Sequence, residues 1–170
     1  MPLSPDEVIR LLASTPAVLR SMLSGLDAAS IEATLDGGWS ARDVVHHILD
    51  VQEIAFVGRI RRIVEEERPF IRSIDPTARI AASPFASASV EAIIAELERV
   101  RAAELGWIAS LSDAQLAREG THDEAGSITA ANILHYWPVH DLLHIRQLTK
   151  VIQAGLAPSL GNTSQFLEDA

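Results

Sequence analysis

The stretch HYWPVHDLLHIRQL, residues 135–148, places two histidines four positions apart in a largely apolar helical pattern. Side chains at i and i+4 project from the same face of a helix, with Cβ atoms about 5–6 Å apart. Two imidazoles at that spacing can bind one metal ion. The pattern predicts a helix whose inner face carries His140 and His144.

Two imidazoles alone do not make a metal site. A single histidine on an apolar helix face is usually a core or boundary residue whose ring nitrogens bond to ordinary partners. The HxxxH spacing also lacks the glutamate of HExxH, so it does not indicate zinc-protease chemistry. A third ligand has to come from another helix.

His47 is the best candidate for that ligand, because it lies on the inner face of a second helical pattern between Val44 and Val51. Burying three neutral imidazoles without a partner would be costly, and one metal ion would satisfy all three. Three protein nitrogens that leave one coordination position open are typical of a catalytic metal site. The residues therefore predict a metal centre formed by His47, His140 and His144.

The other three histidines are expected to lie elsewhere. His46 is about 100° around its helix from His47 and should face the side of the fold or solvent. His135 should point off the inner face of its helix, and His122 should be solvated in a polar segment. None of the three is predicted to bind the metal.

Apolar periodicity and capping residues predict an all-α protein with four long helices. The predicted helices run from Ser4 to Gly25, from Ser40 to Pro69, from Ser87 or Ser89 to about Leu111, and from Ser127 or Thr129 to about Gly155. The irregular segment 68–87 is long enough to cross from one end of a bundle to the other. No run alternates over the length of a strand, so no sheet is predicted. The best architecture is one four-helix-bundle domain over residues 1–170.

Composition narrows the classes of function. The chain has 170 residues, a net charge of −9 and no cysteine. Such an acidic chain lacks the basic footprint of a nucleic-acid-binding protein, and it should repel anionic membranes. Without thiolates, a metal must be held by nitrogen and oxygen ligands. The N-terminus has no basic segment followed by an apolar run, so a cytoplasmic location is expected.

Two motifs resemble those of the DinB/YfiT-like family. GWSARDVVHHILDVQE, residues 38–53, is similar to the family's second-helix motif, and HDLLHIRQL, residues 140–148, looks like its fourth-helix motif HDxxHxxQ. The resemblance spans essentially the whole chain. It implies a four-helix bundle of up-down-down-up topology, often dimeric, with a divalent metal held by three histidines. Carried over to this sequence, those ligands are His47, His140 and His144.

The resemblance implies nickel or zinc as the commonest metals, with manganese or iron as further candidates. Characterised members include thiol-dependent S-transferases and isomerases that use low-molecular-weight thiols such as bacillithiol or mycothiol. Three functions therefore stay open: a thiol-dependent S-transferase, a metal-dependent hydrolase, and a non-catalytic bundle or dimerisation module stabilised by its metal. A small-molecule substrate and a homodimer are expected, without nucleic acid or membrane.

Three polar residues are candidates for orienting the ligands: Asp50, Asp141 and Gln147. Metal-bound histidines usually donate their other ring N–H to a carboxylate or carbonyl. Asp50 is the better orienter because it lies near the face of His47, whereas Asp141 projects about 100° away from His140 and is as well explained as a solvated charge.

Aromatic and basic residues near the motifs allow two interpretations. Two tryptophans, Trp39 and Trp137, could line a pocket, but packing between helices is the favoured interpretation. An arginine near the metal could bind a substrate carboxylate. Surface ion pairs are the favoured role for the arginines in question, Arg59, Arg61, Arg62 and Arg146.

Overall fold

Four long helical runs form the framework of the computed structural model, which describes residues 2–75, 79 and 83–167. The helices are α1 (Pro5–Leu23), α2 (Ala28–Glu32), α3 (Ala41–Val51), α4 (Gly58–Glu65), α5 (Val90–Ile108), α6 (Asp113–Leu116) and α7 (Ala130–Leu156). A π-helical turn (Gln52–Val57) joins α3 to α4, so residues 41–65 form one continuous second helix. Short 3₁₀ turns at Ala157–Ser159 and Gly161–Leu167 follow α7. The four predicted long helices are confirmed.

Side-chain caps fix where the long helices begin. Ser40 accepts a hydrogen bond from the Asp43 backbone N–H at 3.1 Å, and the Asp43 carboxylate accepts one from the Ser40 backbone N–H at 3.1 Å. The same reciprocal arrangement joins Ser4 to Glu7 and Thr129 to Asn132. Each cap satisfies backbone N–H groups that a helix start leaves without partners.

Two apolar clusters, one at each end of the bundle, establish the helix directions. One cluster combines the start of α1 and the start of α7 with the C-terminal parts of the second helix and α5. The other combines the end of α1 and Leu148 of α7 with the first residues of α3 and α5. Because α1 and α7 run opposite to the second helix and α5, the topology is up-down-down-up, as the family resemblance implied.

A buried polar layer lies between the two clusters. Arg101 of α5 is 1% exposed and donates from Nη1 to Asp141 Oδ2 of α7 at 2.7 Å. Thr15 Oγ1 of α1 donates to the same carboxylate oxygen at 2.8 Å, and Arg101 Nε donates to Gln52 Oε1 of the second helix. Each of the four bundle helices therefore contributes one side chain to this layer.

A three-stranded sheet ties the crossover connection to the C-terminal half of the chain. Strand β1 (Phe70–Ile71) pairs in parallel with β2 (Glu119–His122), which pairs antiparallel with β3 (Gly126–Thr129). The prediction of no sheet was wrong, because strands of two to four residues are too short to show alternation. Of the predicted crossover 68–87, residues 76–78 and 80–82 lie outside the described part of the chain.

The π-helical turn closes at a glycine. The Gly58 N–H donates to the Glu53 carbonyl five residues earlier, and a Cβ at position 58 would lie 2.6 Å from that oxygen. A side chain would therefore force the wide turn to shift.

Within the described residues, no helix combines the length and apolar character needed to cross a bilayer.

Removing one partner of the buried ion pair should destabilise the whole bundle. Arg101→Met leaves the Asp141 carboxylate buried without a counter-charge, which typically costs about 3–5 kcal/mol. Arg99→Met is the matched control, because Arg99 is exposed and, among the described residues, pairs only with Glu96 on its own helix. Urea unfolding should show a large loss for the first variant and less than about 0.5 kcal/mol for the second. Equal losses would contradict the role assigned to the pair.

Candidate metal centre

Three histidine rings converge between the second helix and α7. His47 Nε2 lies 3.1 Å from His140 Nε2, which lies 3.2 Å from His144 Nε2. One ligand atom from each of the three lies within 4.8 Å of the others. Two nitrogens bound to one ion at about 2.0–2.1 Å with tetrahedral angles stand about 3.3 Å apart. The spacing of the three rings therefore fits a single ion.

Gln147 sets the tautomer of one of these rings. His144 Nδ1 lies 2.9 Å from Gln147 Oε1, which can only accept a hydrogen bond. The proton of neutral His144 is therefore on Nδ1, and the lone pair of Nε2 faces the centre of the cluster. Gln147 was one of the candidates for orienting a ligand, and it lies within hydrogen-bond distance of His144.

Asp141 links the cluster to the buried polar layer. Its Oδ1 lies 4.0 Å from His140 Nδ1, and both atoms are buried without a hydrogen-bond partner among the described residues. The interpretation of Asp141 as a solvated charge is wrong, because Arg101 and Thr15 hold its carboxylate inside the bundle. At this distance the two atoms are near each other but are not hydrogen-bonded.

Asp50 does not orient His47. Both oxygens of Asp50 accept hydrogen bonds from Arg79, at 2.8 Å from Nε and 3.1 Å from Nη2. His47 Nδ1 is buried and has no partner among the described residues. Asp50 lies three residues after His47, and its carboxylate points towards the crossover segment. There the Arg79 guanidinium balances its negative charge.

Burial lowers the pKa of two of the clustered histidines. Desolvation, followed by the charges of His144, His140 and His46, lowers the pKa of His47 from 6.5 to about 3. Desolvation and the neighbouring His140 also lower the pKa of His144. Neutral imidazoles have the free lone pairs that metal binding requires.

Two tryptophans pack around the histidine cluster and the buried polar layer beside it. Trp39 packs on the imidazoles, with ring centroids 4.7 Å from His47 and 6.0 Å from His144. Trp137 is fully buried, stacks on Phe56 at 5.3 Å, and lies 4.7 Å from the Arg101 guanidinium. Both pack between structural elements, which was the favoured interpretation.

An apolar pocket of about 460 Å³ opens beside the cluster. His47 and His140 form part of its wall, and the remaining lining is mostly apolar: Val51, Ala55, Phe56, Ile74, Ala125, Ile128 and Ile133. Four further polar side chains line it: Arg59, His122, Asn132 and Tyr136. A small organic molecule bound there would lie against two of the three clustered histidines.

Two histidines lie in places that the sequence did not predict. His46 was expected to face the side of the fold or solvent, but it is fully buried. The crossover segment covers it, and Ser83 Oγ lies 2.7 Å from its Nε2. His122 is not free in a polar loop, since β2 and its hairpin place it in the pocket wall. His135 lies away from the cluster, as predicted, with its ring nitrogens near the Ala131 and Leu3 carbonyl oxygens.

The arginines divide between surface and pocket. Arg61 and Arg62 pair with Glu104 and Glu66, as expected of surface helix charges. Arg59 lines the pocket instead, where desolvation lowers its pKa and the nearby Asp123 and Glu124 oppose that shift. A guanidinium stays charged in proteins, so this wall carries a positive charge.

Sequence reasoning missed the polar layer that supports the cluster. Arg101 has a recognisable signal, because it lies four residues from both Leu97 and Leu105 on the buried stripe of α5. A charged residue in such a position is almost never buried unless paired. Thr15 and Gln52 carry no comparable signal.

Comparisons with known proteins agree with this fold. A family model described as the DinB superfamily matches residues 11–148. A protein named "Putative metal-dependent hydrolase YfiT", from Bacillus subtilis, is 28% identical over 148 residues, covering 86% of this chain and 83% of the relative. OB0782 from Oceanobacillus iheyensis carries the same designation and is 22% identical over 147 residues, covering 86% of this chain and 84% of the relative.

Two solved structures resemble the fold. The structure of YfiT from Bacillus subtilis, described as having an unusual four-helix bundle topology, matches with a TM-score of 0.79 at 26% identity over 90% of each chain. TT2238, described as a four-helix bundle protein, matches with a TM-score of 0.62 at 22% identity, covering 86% of this chain and 99% of that one. The second likeness concerns the fold alone.

The metal-free protein should lose stability in mild acid. The pKa of His47 is about 3 in the folded protein against an ordinary value of 6.5, so the unfolded chain takes up its proton first as pH falls. The free energy of unfolding should therefore decrease below about pH 6.5. In the presence of a chelator, the thermal midpoint should drop between about pH 7.5 and about pH 5, and less so in His47→Gln. Parallel pH profiles for the two proteins would contradict this.

Proposed function

The chain belongs to the DinB superfamily, and on that premise we propose that it is a metal-dependent hydrolase of a small molecule. Its divalent ion would be held by the Nε2 atoms of His47, His140 and His144. The observation that carries the proposal is the convergence of these three nitrogens beside an apolar pocket.

The relatives favour hydrolysis over the other open functions. Several carry the designation of metal-dependent hydrolase. Thiol-dependent S-transfer, which the family resemblance suggested, has no support from the relatives compared. The homodimer and the thiol partner stay predictions. An all-nitrogen ligand set suits zinc and nickel, which remain the proposed metals, with manganese or iron as alternatives.

The residues around the cluster have separable roles in this proposal. When bound, a divalent ion polarises a carbonyl and makes water nucleophilic near neutral pH. Gln147 keeps the proton of His144 on Nδ1, and Asp141 is placed to do the same for His140. The apolar wall around Phe56 would hold the substrate body and exclude bulk water. This adjoining pocket favours a catalytic centre over an ion that only stabilises the bundle.

The first experiment is the metal content of the untagged protein purified without chelator. Elemental mass spectrometry should find about one divalent ion per chain in the parent protein and essentially none in His47→Ala. His135→Ala is the matched control, because this histidine lies on α7 outside the cluster. Helical circular dichroism should be retained in both variants.

Hydrolysis is tested on the same proteins with a panel of small esters and amides. Turnover should require the metal and disappear in His47→Ala, while His135→Ala remains active. A metal-loaded protein that turns over no ester or amide would leave the ion in a structural role. Full metal occupancy in His47→Ala would overturn the ligand assignment.

Gln147 provides an independent test of ligand orientation. Gln147→Leu removes the acceptor for His144 Nδ1–H, and loss of such partners typically lowers metal affinity by about 10–100-fold. Gln153→Leu, farther along α7, serves as the control. Competition with a fluorescent chelator would measure both affinities. Equal affinities for the two variants would show that the hydrogen bond does not support the site.

A further inference from the structure

We propose that the pocket beside the histidine cluster binds an amphipathic carboxylate. Its apolar body would lie on the wall formed around Phe56 and Ile133, and its carboxylate would be bound by Arg59 and His122. The inference names a substrate class for the proposed hydrolase, and its link to the reacting end rests on that proposed function.

Three polar side chains of this pocket, those of Arg59, His122 and Asn132, offer hydrogen-bond donors to a ligand. His122 Nδ1 accepts from the Glu124 and Ala125 backbone N–H groups, at 3.2 and 3.3 Å, so the proton of the neutral ring is on Nε2. Asn132 Oδ1 accepts from the Thr129 backbone N–H, and the Asn132 NH₂ group bonds to no residue in the described part of the chain. A guanidinium has no acceptor at all. A ligand with acceptor oxygens matches this set.

Arg59 supplies the charge that selects an anion among such ligands. Its Nη2 donates to the Arg72 carbonyl at 2.8 Å, and its other N–H groups bond to no described residue. Asp123 lies nearby, but its two oxygens accept hydrogen bonds from the Ser73 N–H and hydroxyl, at 2.9 and 2.8 Å, and its Oδ1 lies 3.2 Å from His122 Nδ1 on the side of that ring away from Nε2. Among the described lining residues there is no aspartate or glutamate. One hydrogen bond therefore positions the Arg59 guanidinium, and its remaining N–H groups can donate to a ligand.

The π-helical turn aligns this arginine with the metal ligands. His47 and Arg59 are twelve residues apart, which in a regular α-helix would place them about 120° apart around the axis. The π-helical turn contains one extra residue, which corresponds to a rotation of about 100° around the helix axis. Arg59 therefore returns to the face of the helix that carries His47. With one residue taken up by the turn, their separation along the axis is about 16–17 Å. One continuous helix thus carries the histidine at one end of the pocket and the cation at the other.

The proposal is tested on the metal-free protein, so that binding does not depend on the metal centre. Isothermal titration calorimetry would compare octanoate, octan-1-ol and octylammonium. Octanoate should bind at least about tenfold more tightly than octan-1-ol, as expected for a charge-assisted contact. Arg59→Gln should remove that advantage while leaving octan-1-ol binding unchanged. Arg61→Gln is the control, because its side chain packs over Trp107, away from the pocket.

The variant His122→Phe distinguishes the contribution of His122 from that of Arg59. It should lower the affinity for octanoate without abolishing the preference for octanoate over octylammonium. No preference for octanoate in the parent protein, or a preference retained in Arg59→Gln, would overturn the proposal. If octanoate binds as expected but the metal-loaded protein hydrolyses nothing, the proposed function fails and this inference stands.

Discussion

The ion pair between Arg101 and Asp141 is the contact on which the arrangement of the bundle depends. Buried ion pairs add little net stability compared with apolar residues of the same volume, yet they are intolerant of a missing partner. Here the pair is completed by Thr15 and Gln52, so the register of all four helices must be correct before the charges are satisfied. The layer therefore specifies one arrangement among the several that apolar packing alone would allow.

Asp141 connects this buried polar layer to the histidine cluster. Asp141 follows His140 directly in the sequence, and its carboxylate is fixed on one side by Arg101 while its second oxygen faces the imidazole. A precise site needs ligands whose own positions are locked by their neighbours. The bundle supplies that support from the core through Asp141 and from α7 through Gln147, while Trp39 covers the outside.

Local signals in the sequence were sufficient for the long helices and for the three histidines that converge in the structure. Ser40 and Thr129 mark helix starts by their own hydrogen bonds, and the spacing of His140 and His144 is a property of one helix. Contacts between distant segments carry no such signal, which is why Thr15 and Gln52 went unrecognised. The regular 3.6-residue period also places Gly58 on the inner face of the second helix, and only the π-helical turn puts Arg59 there instead.

The small sheet has a consequence for how a ligand reaches the pocket. Its three strands contain two to four residues each, yet the hairpin of β2 and β3 carries His122, Ala125 and Ile128 into the pocket wall. Segments with so few hydrogen bonds open locally at a much smaller free energy than a packed helical core. The hairpin is therefore the side of the pocket where a ligand would be admitted most readily, while the three clustered histidines stay on the packed helices.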